Sequence, residues 1–317
     1  MTKPVAYLVL AHTDPTQCLR LVRRLLADSS AHVFVHVDLK TKSDFSLLNQ
    51  TNSARVHLVR ERHKVSWAGF SVVKATLACM QAALKCGIGF GYLVLLSGMD
   101  YPIRHPNDIR NYLYSQPFRQ HINRLSVADS PEHYLKLAQR FTFRDAWLDL
   151  ETIDRGLRKL ATIMLTPFKR KLPEQMLCTG STWWAVTEEF GRYVLVFSQQ
   201  VVGYERYFKY LHSPDEIYFQ TILQSSPFID EAPPILPYSG RGMWRTANLH
   251  VIDPSLRKIY TATDFDKLVE SDRCFVRKVT TAASSTLLDR IDIDLGLVQN
   301  NVLFERRLQR HLAHRHK

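Results

Sequence analysis

Residues 5–17 read Val-Ala-Tyr-Leu-Val-Leu-Ala-His-Thr-Asp-Pro-Thr-Gln and contain the signal that decides the fold. The segment opens with a short apolar run, which is typical of a strand buried on both faces. A helix start follows, because Asp14 suits the N-cap, Pro15 the first helical position and Gln17 the third. The segment therefore predicts a buried strand that leads directly into a helix.

The same alternation continues through the first hundred residues. Strands are predicted at 5–10, 32–37, 55–59 and 92–96, with a helix at 70–84. Strand and helix at this spacing indicate a parallel sheet with right-handed crossovers. We therefore expect an α/β protein whose Rossmann-like, mostly parallel central sheet is flanked by helices. Ligands of such sheets bind beyond the carboxyl ends of the strands.

The composition and the charge exclude several other classes of protein. The chain has 317 residues, of which 45% are hydrophobic and 23% charged, so it is not disordered, collagenous or a coiled coil. Its formal charge is +12, of which residues 155–171 contribute +6 and residues 305–317 contribute +4. The rest of the chain is nearly neutral and has no zinc-finger or RNP motif, which argues against a nucleic-acid surface.

The cysteines and apolar runs predict where the protein is found. Five cysteines without a Cys-x-x-Cys pair indicate reduced thiols and a cytosolic protein. The N-terminal apolar run is too short for a signal peptide, and no later run reaches about 18 residues, the usual length of a membrane span.

Residues 155–171 interleave leucine and isoleucine with cations, as helices at a membrane surface do. We therefore expect this stretch and the basic tail at 305–317 to contact anionic lipid. The alternative is an ordinary solvated basic face.

Signals for a bound dinucleotide or metal are weak. The glycines of residues 87–91 precede a strand instead of following one, so they predict a helix end and a turn. His32 and His36 would lie roughly 13 Å apart along a strand, too far to share an ion. The Asp-x-Asp strings that begin at Asp264 and Asp292 are interpreted as surface acids, and no metal is expected.

Two strand ends contain residues suited to a ligand. Asp38 ends the second strand, where a carboxylate accepts hydrogen bonds from a ribose or a base edge, or caps a turn. Residues 94–103 run from an apolar strand into Ser97 and Gly98, small residues that allow a ligand close to the backbone, and then into Asp100.

Seven segments of the chain, taken in order, form one pattern. They are Ala6-Tyr7-Leu8-Val9-Leu10-Ala11-His12, Val35-His36-Val37-Asp38-Leu39-Lys40, Val65-Ser66-Trp67-Ala68-Gly69, Leu95-Leu96-Ser97-Gly98-Met99-Asp100-Tyr101-Pro102-Ile103, Gly180-Ser181-Thr182-Trp183-Trp184, Ser213-Pro214-Asp215-Glu216 and Phe275-Val276-Arg277-Lys278. The pattern resembles the core-2/I-branching β-1,6-N-acetylglucosaminyltransferases and the related peptide O-xylosyltransferases. A single motif of this kind is weak, but seven in order over residues 6–278 are specific.

The resemblance implies a GT-A-like fold in a single domain at residues 1–304, followed by the basic tail at 305–317. It also implies a UDP-sugar donor, inversion at the anomeric carbon and no metal requirement. It places the catalytic base of the Ser-Pro-x-Glu motif at Glu216. The alternative is a structural role for Glu216, because Ser213, Pro214 and Glu216 also match the sequence pattern of a helix capping box.

Fixed cations are needed for the leaving diphosphate when no metal serves it. The family's Phe-Ala-x-Lys motif places one at Lys278, with Val276 here in place of the alanine and Arg277 as a second charge. The family's upstream arginine matches Arg257 or Arg245. For Lys278 and for either arginine, the alternative is that the residue belongs to a solvated basic turn without a role in binding.

The remaining contacts implied by the resemblance concern the two substrates. Donor-binding residues are expected at His12, Asp38, Ser97, Gly98, Asp100, Arg257, Arg277 and Lys278. Aromatic residues that stack on acceptor sugars are expected at Trp183, Trp184 and Trp244, with core packing as the alternative.

The sequence thus predicts an enzyme that transfers GlcNAc, or xylose, from UDP to a hydroxyl of a glycan acceptor. Eukaryotic members of the family have luminal disulfides and a membrane anchor, neither of which is expected here. We therefore expect a bacterial type of member that acts on a surface-polysaccharide intermediate. The alternative is a non-catalytic protein that binds a nucleotide sugar or a glycan on the same fold.

Overall fold

The structure is a computed structural model that describes residues 2–145, 147, 151–201 and 203–297. The predicted tail at 305–317 lies outside the described residues. Within them the strands are β1 (Val5–Ala11), β2 (His32–Val37), β3 (Val56–Leu58), β4 (Tyr92–Ser97), β5 (Asp100–Pro102), β6 (Leu125–Ser126), β7 (Cys178–Thr179), β8 (Ala185–Thr187), β9 (His250–Ile252) and β10 (Phe275–Arg277).

The helices alternate with these strands along the chain. They are α1 (Pro15–Leu25), α2 (Phe70–Lys85), α3 (Pro106–Ser115), α4 (Lys136–Ala138), α5 (Glu151–Met164), α6 (Glu188–Gln200), α7 (Tyr204–Phe208), α8 (Tyr218–Gln224), α9 (Phe265–Val269) and α10 (Thr281–Asp294). Short 3₁₀ turns lie at Ser46–Thr51, Pro214–Glu216, Ile229–Glu231, Met243–Thr246 and Ala262–Asp264, and a π-helical turn at Pro131–Leu135.

The central sheet has five strands in the order β3-β2-β1-β4-β8. β3, β2, β1 and β4 are parallel to one another, and β8 joins β4 antiparallel. Helices cover both faces of this sheet. The predicted α/β fold with a mostly parallel sheet is therefore confirmed, and it is consistent with the GT-A-like domain that the resemblance implied.

The alternating side chains of β1 show how the sheet is buried. Ala6 and Leu8 face a core that includes residues of α2, α6 and α8. Val5, Tyr7 and Val9 face a second core, formed with α1 and α3. Because both faces are covered, the strand is apolar throughout, as the sequence indicated.

The helix start at the end of β1 forms as predicted. The Asp14 side chain accepts a hydrogen bond of 3.1 Å from the backbone N–H of Gln17, and Pro15 is the first residue of α1. The same carboxylate accepts hydrogen bonds from the backbone N–H and hydroxyl of Thr281 at the start of α10. Asp14 therefore joins the start of α1 to the start of α10, beside the carboxyl end of β1.

A three-stranded sheet in the order β5-β10-β9 lies next to the central sheet. It is attached through Asp292 of α10, which accepts hydrogen bonds from Arg20 and the Tyr101 hydroxyl and pairs with Arg24. The interpretation of Asp292 as a surface acid was wrong, because its carboxylate is 1% exposed and is matched by two arginines of α1.

The glycine-rich stretch before β4 is a turn, as predicted. α2 ends at Lys85, and Gly87 and Gly89 both have positive φ values, 79° and 75°. Among the described residues, no helix combines the length and the apolar content needed to cross a membrane.

Candidate active site

A cleft of about 470 Å³ opens at the carboxyl edge of the central sheet. Leu10 of β1 pairs with His36 of β2 and with Ser97 of β4, so the three strands end at the same level. The cleft lies beyond these ends, where the parallel topology predicts a ligand site. His12, Asp38 and Ser97 all line it.

Asp38 both closes a turn and lines the cleft, which are the two alternatives that the sequence left open. Its Oδ1 accepts hydrogen bonds from the backbone N–H groups of Lys40 and Val65, at 2.9 and 3.1 Å. The side chain therefore closes the turn after β2 and ties it to the segment before α2. It also lines the cleft, so turn formation and ligand contact are compatible at this position.

A pair of adjacent carboxylates, Asp215 and Glu216, lines another part of the cleft. Both belong to the 3₁₀ turn Pro214–Glu216, which is preceded by Ser213 in a left-handed conformation with φ of 49°. The Ser213 side chain makes no capping hydrogen bond to this turn, and its hydroxyl contacts His212 at 3.1 Å instead. The structural alternative for Glu216, a helix capping box, is therefore not formed.

The carboxylate pair is held by the segment that precedes β8. Thr182 donates a hydrogen bond of 2.9 Å to Oδ2 of Asp215, while the other oxygen of that carboxylate is buried without a partner. The backbone N–H of Gly180 donates to the carbonyl oxygen of Glu216 at 2.8 Å. A side chain at Gly180 would approach the carbonyl oxygen of Asn123 to 2.2 Å, so only glycine allows this close packing.

Burial changes the protonation of the pair. It raises the pKa of Asp215 to about 6, against a smaller opposite effect of the Thr182 hydrogen bond. It also raises the pKa of Glu216 well above its usual value, and the negative charge of Asp215 raises it further. Two adjacent carboxyl groups that interact in this way titrate as a pair, and a carboxylate with a raised pKa is a stronger proton acceptor once it is ionised.

Two cations follow one another on the other side of the cleft, at the end of β10. The Arg277 guanidinium lies 4.2 Å from the centre of the Trp183 ring. Burial, together with the positive charge of Arg277, lowers the pKa of the Lys278 amine. Within the described residues Lys278 makes no ion pair, so its charge remains available to an anion in the cleft.

Arg277 is fixed in place by Asp100, which does not itself reach the cleft. Asp100 is fully buried and accepts hydrogen bonds from Arg277 at 2.7 Å, from the backbone N–H of Ser97 at 2.8 Å and from His250 at 3.2 Å. Asp100 was predicted to contact the donor, but the structure surrounds its carboxylate with protein donors and places it outside the cleft lining. Asp100 instead connects the end of β4 to the cation at the end of β10.

The cleft therefore combines a carboxylate pair with fixed cations at the edge of a parallel sheet. The profile described as Core-2/I-Branching enzyme matches residues 5–232 of this sequence. The chain belongs to the core-2/I-branching enzyme family. The matched residues include the strand ends and the carboxylate pair, whereas Arg277 and Lys278 lie beyond them, so the case for those two rests on their position in the cleft.

Relatives of this family member include several animal proteins. The chain is 26% identical over 277 residues to beta-1,3-galactosyl-O-glycosyl-glycoprotein beta-1,6-N-acetylglucosaminyltransferase of Bos taurus, covering 86% of this chain and 59% of that one. The protein of the same name from Homo sapiens is 28% identical, with 74% of this chain and 51% of that one covered. Xylosyltransferase 2 of Canis lupus familiaris is 22% identical, with 92% and 33% covered. The chain thus spans between a third and three fifths of the length of these relatives.

Most of the predicted site residues of this family member line the cleft. They are His12, Asp38, Ser97, Trp183, Glu216, Trp244, Arg277 and Lys278. Their individual roles toward a donor or an acceptor stay predictions.

Three further predicted residues do not line the cleft. Trp184 is 1% exposed and packs against Phe219 in the core, so it has no face available for a sugar. A Cβ atom at Gly98 would lie 3.4 Å from the Cβ of Ala11, so the glycine gives space to neighbouring protein atoms and not to a ligand. Arg257 lies outside the cleft, although both of its neighbours in the sequence line it.

The other arginine considered for the diphosphate, Arg245, also does not line the cleft. Its guanidinium lies 4.4 Å from the centre of the Trp244 ring and donates to the carbonyl oxygen of Arg241. Arg277 is therefore the arginine that accompanies Lys278 in the cleft.

Sequence reasoning missed several residues that line the cleft, among them Asp215, Trp67, Lys40 and Lys258. Asp215 was overlooked although it is adjacent to Glu216, and Trp67, 76% exposed, lies within one of the family segments. Lys40 also lies in such a segment, so the motifs contained a signal for all three. Lys258 had no comparable signal, and in the structure it pairs with Asp264 at 2.5 Å.

The acids and histidines of the site do not form a metal cluster. Among the described residues, no group of three or more His, Cys, Asp or Glu side chains is placed to hold an ion. Burial and the neighbouring charge of His63 lower the pKa of His36 to about 4, which leaves its imidazole neutral at pH 7. Its Nε2 accepts a hydrogen bond from the backbone N–H of His63 at 2.9 Å.

Proposed function

We propose that this protein is an inverting, metal-independent glycosyltransferase that moves a sugar from a UDP-sugar to a hydroxyl of a glycan acceptor. One observation carries the proposal. A single cleft holds Glu216, whose pKa is raised, together with Lys278, a cation that makes no ion pair within the described residues. Membership of the core-2/I-branching enzyme family and the names of its relatives support the reaction class.

In the proposed reaction the acceptor oxygen attacks the anomeric carbon from the face opposite UDP. Glu216 accepts the hydroxyl proton as the new C–O bond forms. The bond between the anomeric carbon and the phosphate oxygen breaks, and its electron pair leaves with UDP. One displacement inverts the anomeric centre and leaves Glu216 protonated, ready to lose the proton to water.

The cations act on the leaving group. Negative charge develops on the diphosphate as its bond to the sugar breaks, and a fixed cation in a partly buried site stabilises that charge. Lys278 supplies it directly. Arg277 supplies a second positive charge, which Asp100 and the Trp183 ring hold in one orientation.

For the donor we propose UDP-GlcNAc, with UDP-xylose as the alternative. Relatives named as N-acetylglucosaminyltransferases are 22–28% identical to this chain, against 22% for those named xylosyltransferase 2. For the acceptor we propose a bacterial surface-polysaccharide intermediate, bound against Trp183 and Trp244. All five cysteines are free and four of them are buried, which supports a cytoplasmic protein. We place it at the inner face of the membrane.

The reaction class can be tested by measuring UDP release from UDP-GlcNAc and UDP-xylose over a panel of glycan acceptors, with and without EDTA. We expect acceptor-dependent release that EDTA does not reduce, and faster release from UDP-GlcNAc. Activity lost in EDTA and restored by Mg²⁺ or Mn²⁺ would contradict metal independence. Donor binding without release on any acceptor would favour a non-catalytic binding protein.

The carboxylate pair predicts a pH effect. Glu216 must lose its proton to act as a base, so kcat/KM should rise as the pH rises through its pKa. Since the charge of Asp215 raises that pKa, Asp215→Asn should shift the acid limb of the profile to lower pH. Asp253→Asn, which changes another acid lining the cleft, should leave the limb in place. An acid limb that stays fixed in Asp215→Asn would show that the two carboxylates are not coupled.

A further inference from the structure

Helix α5 is amphipathic, but its apolar side faces away from the protein. The side chains of one stripe are 43–65% exposed, and we call them the α5 stripe: Ile153, Leu157, Leu160, Ile163, Met164 and Phe168. The first five recur at spacings of three and four residues and so share one face of the helix. Exposed apolar side chains are ordinary when scattered singly, but a contiguous group marks a contact surface.

The polar side of α5 holds the helix on the protein. Asp154 is 1% exposed and pairs with Arg158 at 2.7 Å. Arg158 also donates to the carbonyl oxygen of Arg144 at 2.7 Å, and Asp154 accepts from the backbone N–H of Trp147 at 2.8 Å. These contacts fix the rotation of the helix and explain why its apolar stripe points outward.

Cations border the α5 stripe. Lys159 is exposed and lies one turn before Ile163, and Lys169 and Lys171 are exposed just after the helix. Glu174 is the one exposed acid among the described residues at 155–176. An apolar stripe edged by lysines is complementary to a bilayer that presents anionic headgroups above an apolar interior.

The stripe is also connected to the cleft. Arg144, whose carbonyl oxygen holds Arg158, places its guanidinium 5.5 Å from the centre of the Trp67 ring. Trp67 lines the cleft and is 76% exposed. The helix and the cleft therefore share one supporting segment.

We propose that the α5 stripe and its bordering lysines dock the protein on the surface of an anionic lipid bilayer. The apolar side chains enter the boundary between headgroups and acyl chains, and Lys159, Lys169 and Lys171 contact the anionic headgroups. The docked protein presents its cleft beside the bilayer, where a lipid-linked acceptor would be found. Docking needs no substrate, so its test is independent of the proposed transferase activity.

The test measures binding of the full chain to vesicles of phosphatidylcholine, with and without 30 mol% phosphatidylglycerol, by co-sedimentation at low and high salt. We expect binding to the anionic vesicles that salt weakens, and much weaker binding to the neutral ones. Leu157→Ser with Ile163→Ser should lower the partition coefficient by at least about tenfold, because both side chains would enter the bilayer. Lys159→Glu with Lys169→Glu should lower it by roughly tenfold or more.

Matched controls change exposed side chains elsewhere. Ile88→Ser with Val196→Ser removes two exposed aliphatic side chains, and Lys85→Glu with Lys267→Glu reverses two exposed lysines. Both pairs should bind anionic vesicles as the wild-type chain does, and all variants should keep its Tm.

Three results would overturn the proposal. One is equal binding to neutral and anionic vesicles. Another is wild-type binding by the stripe variant, which would assign the interaction to another basic segment, such as residues 305–317. The third is a chain that self-associates through the α5 stripe without binding vesicles, which sedimentation velocity of the same variants would detect; the partner would then be a second copy.

Discussion

Glu216→Gln should lower kcat by roughly 10²–10⁴-fold while leaving the affinity for UDP almost unchanged. Glutamine keeps the size of the side chain but cannot accept the acceptor proton. UDP affinity should persist, because the cations assigned to the diphosphate lie at the end of β10 and directly after it, on a different segment from the 3₁₀ turn that contains Glu216. Steady-state kinetics with UDP-GlcNAc and isothermal titration with UDP measure the two quantities separately.

The matched control for this substitution is Glu205→Gln, which makes the same chemical change on the exposed side of α7, where Glu205 pairs with Lys74. It should leave kcat unchanged. A Glu216→Gln variant that retains wild-type kcat would remove the base assignment, and one that loses kcat and UDP affinity together would indicate a structural role.

Lys278→Met should lower kcat by roughly 10²–10³-fold, since it removes a fixed charge that stabilises the leaving diphosphate in the transition state. Methionine preserves the length of the side chain and much of its packing. The substitution should also remove the alkaline limb of the kcat profile, because the amine acts only while protonated and burial lowers its pKa. Both effects are read from kcat measured across a pH series.

Lys258→Met provides the matched comparison. Lys258 also lines the cleft, but its charge is matched by Asp264 at 2.5 Å. Its replacement should therefore change kcat far less than that of Lys278. Equal losses in the two variants would mean that the cleft needs positive charge in general, and that Lys278 has no specific role.

The predictable part of the site lies where local sequence determines local geometry. The apolar run of β1 and the helix start at Asp14 determine a strand, a turn and a helix within one short segment, and all three form as expected. Once the strands are parallel, their carboxyl ends must share an edge, so the placement of His12, Asp38 and Ser97 beside one another followed from the pattern.

The sequence leaves open the placement of several side chains that the tertiary structure settles. Asp100 follows a strand end as a donor-binding acid would, yet Arg277, 177 residues later, returns to neutralise it inside the protein. Trp184 directly follows Trp183, but the Trp184 ring lies in the core, whereas the Trp183 ring lies in the cleft. The Ser-Pro-x-Glu segment spells a capping box, but the left-handed conformation of Ser213 directs the chain into a 3₁₀ turn.

The sequence by itself determined the family, through the ordered motifs that it shares with known members. It also determined the order of strands and helices in the first hundred residues and the edge of the sheet at which the cleft lies, because these depend on local periodicity and on the topology of parallel strands. Only the tertiary structure decided which of the candidate acids and aromatic residues reach the cleft, and that the apolar side of α5 faces outward. Hydrophobic periodicity defines one face of a helix but not its direction. The buried Asp154–Arg158 pair sets that direction, since burying a charge pair is stable only where partners such as the carbonyl oxygen of Arg144 are present.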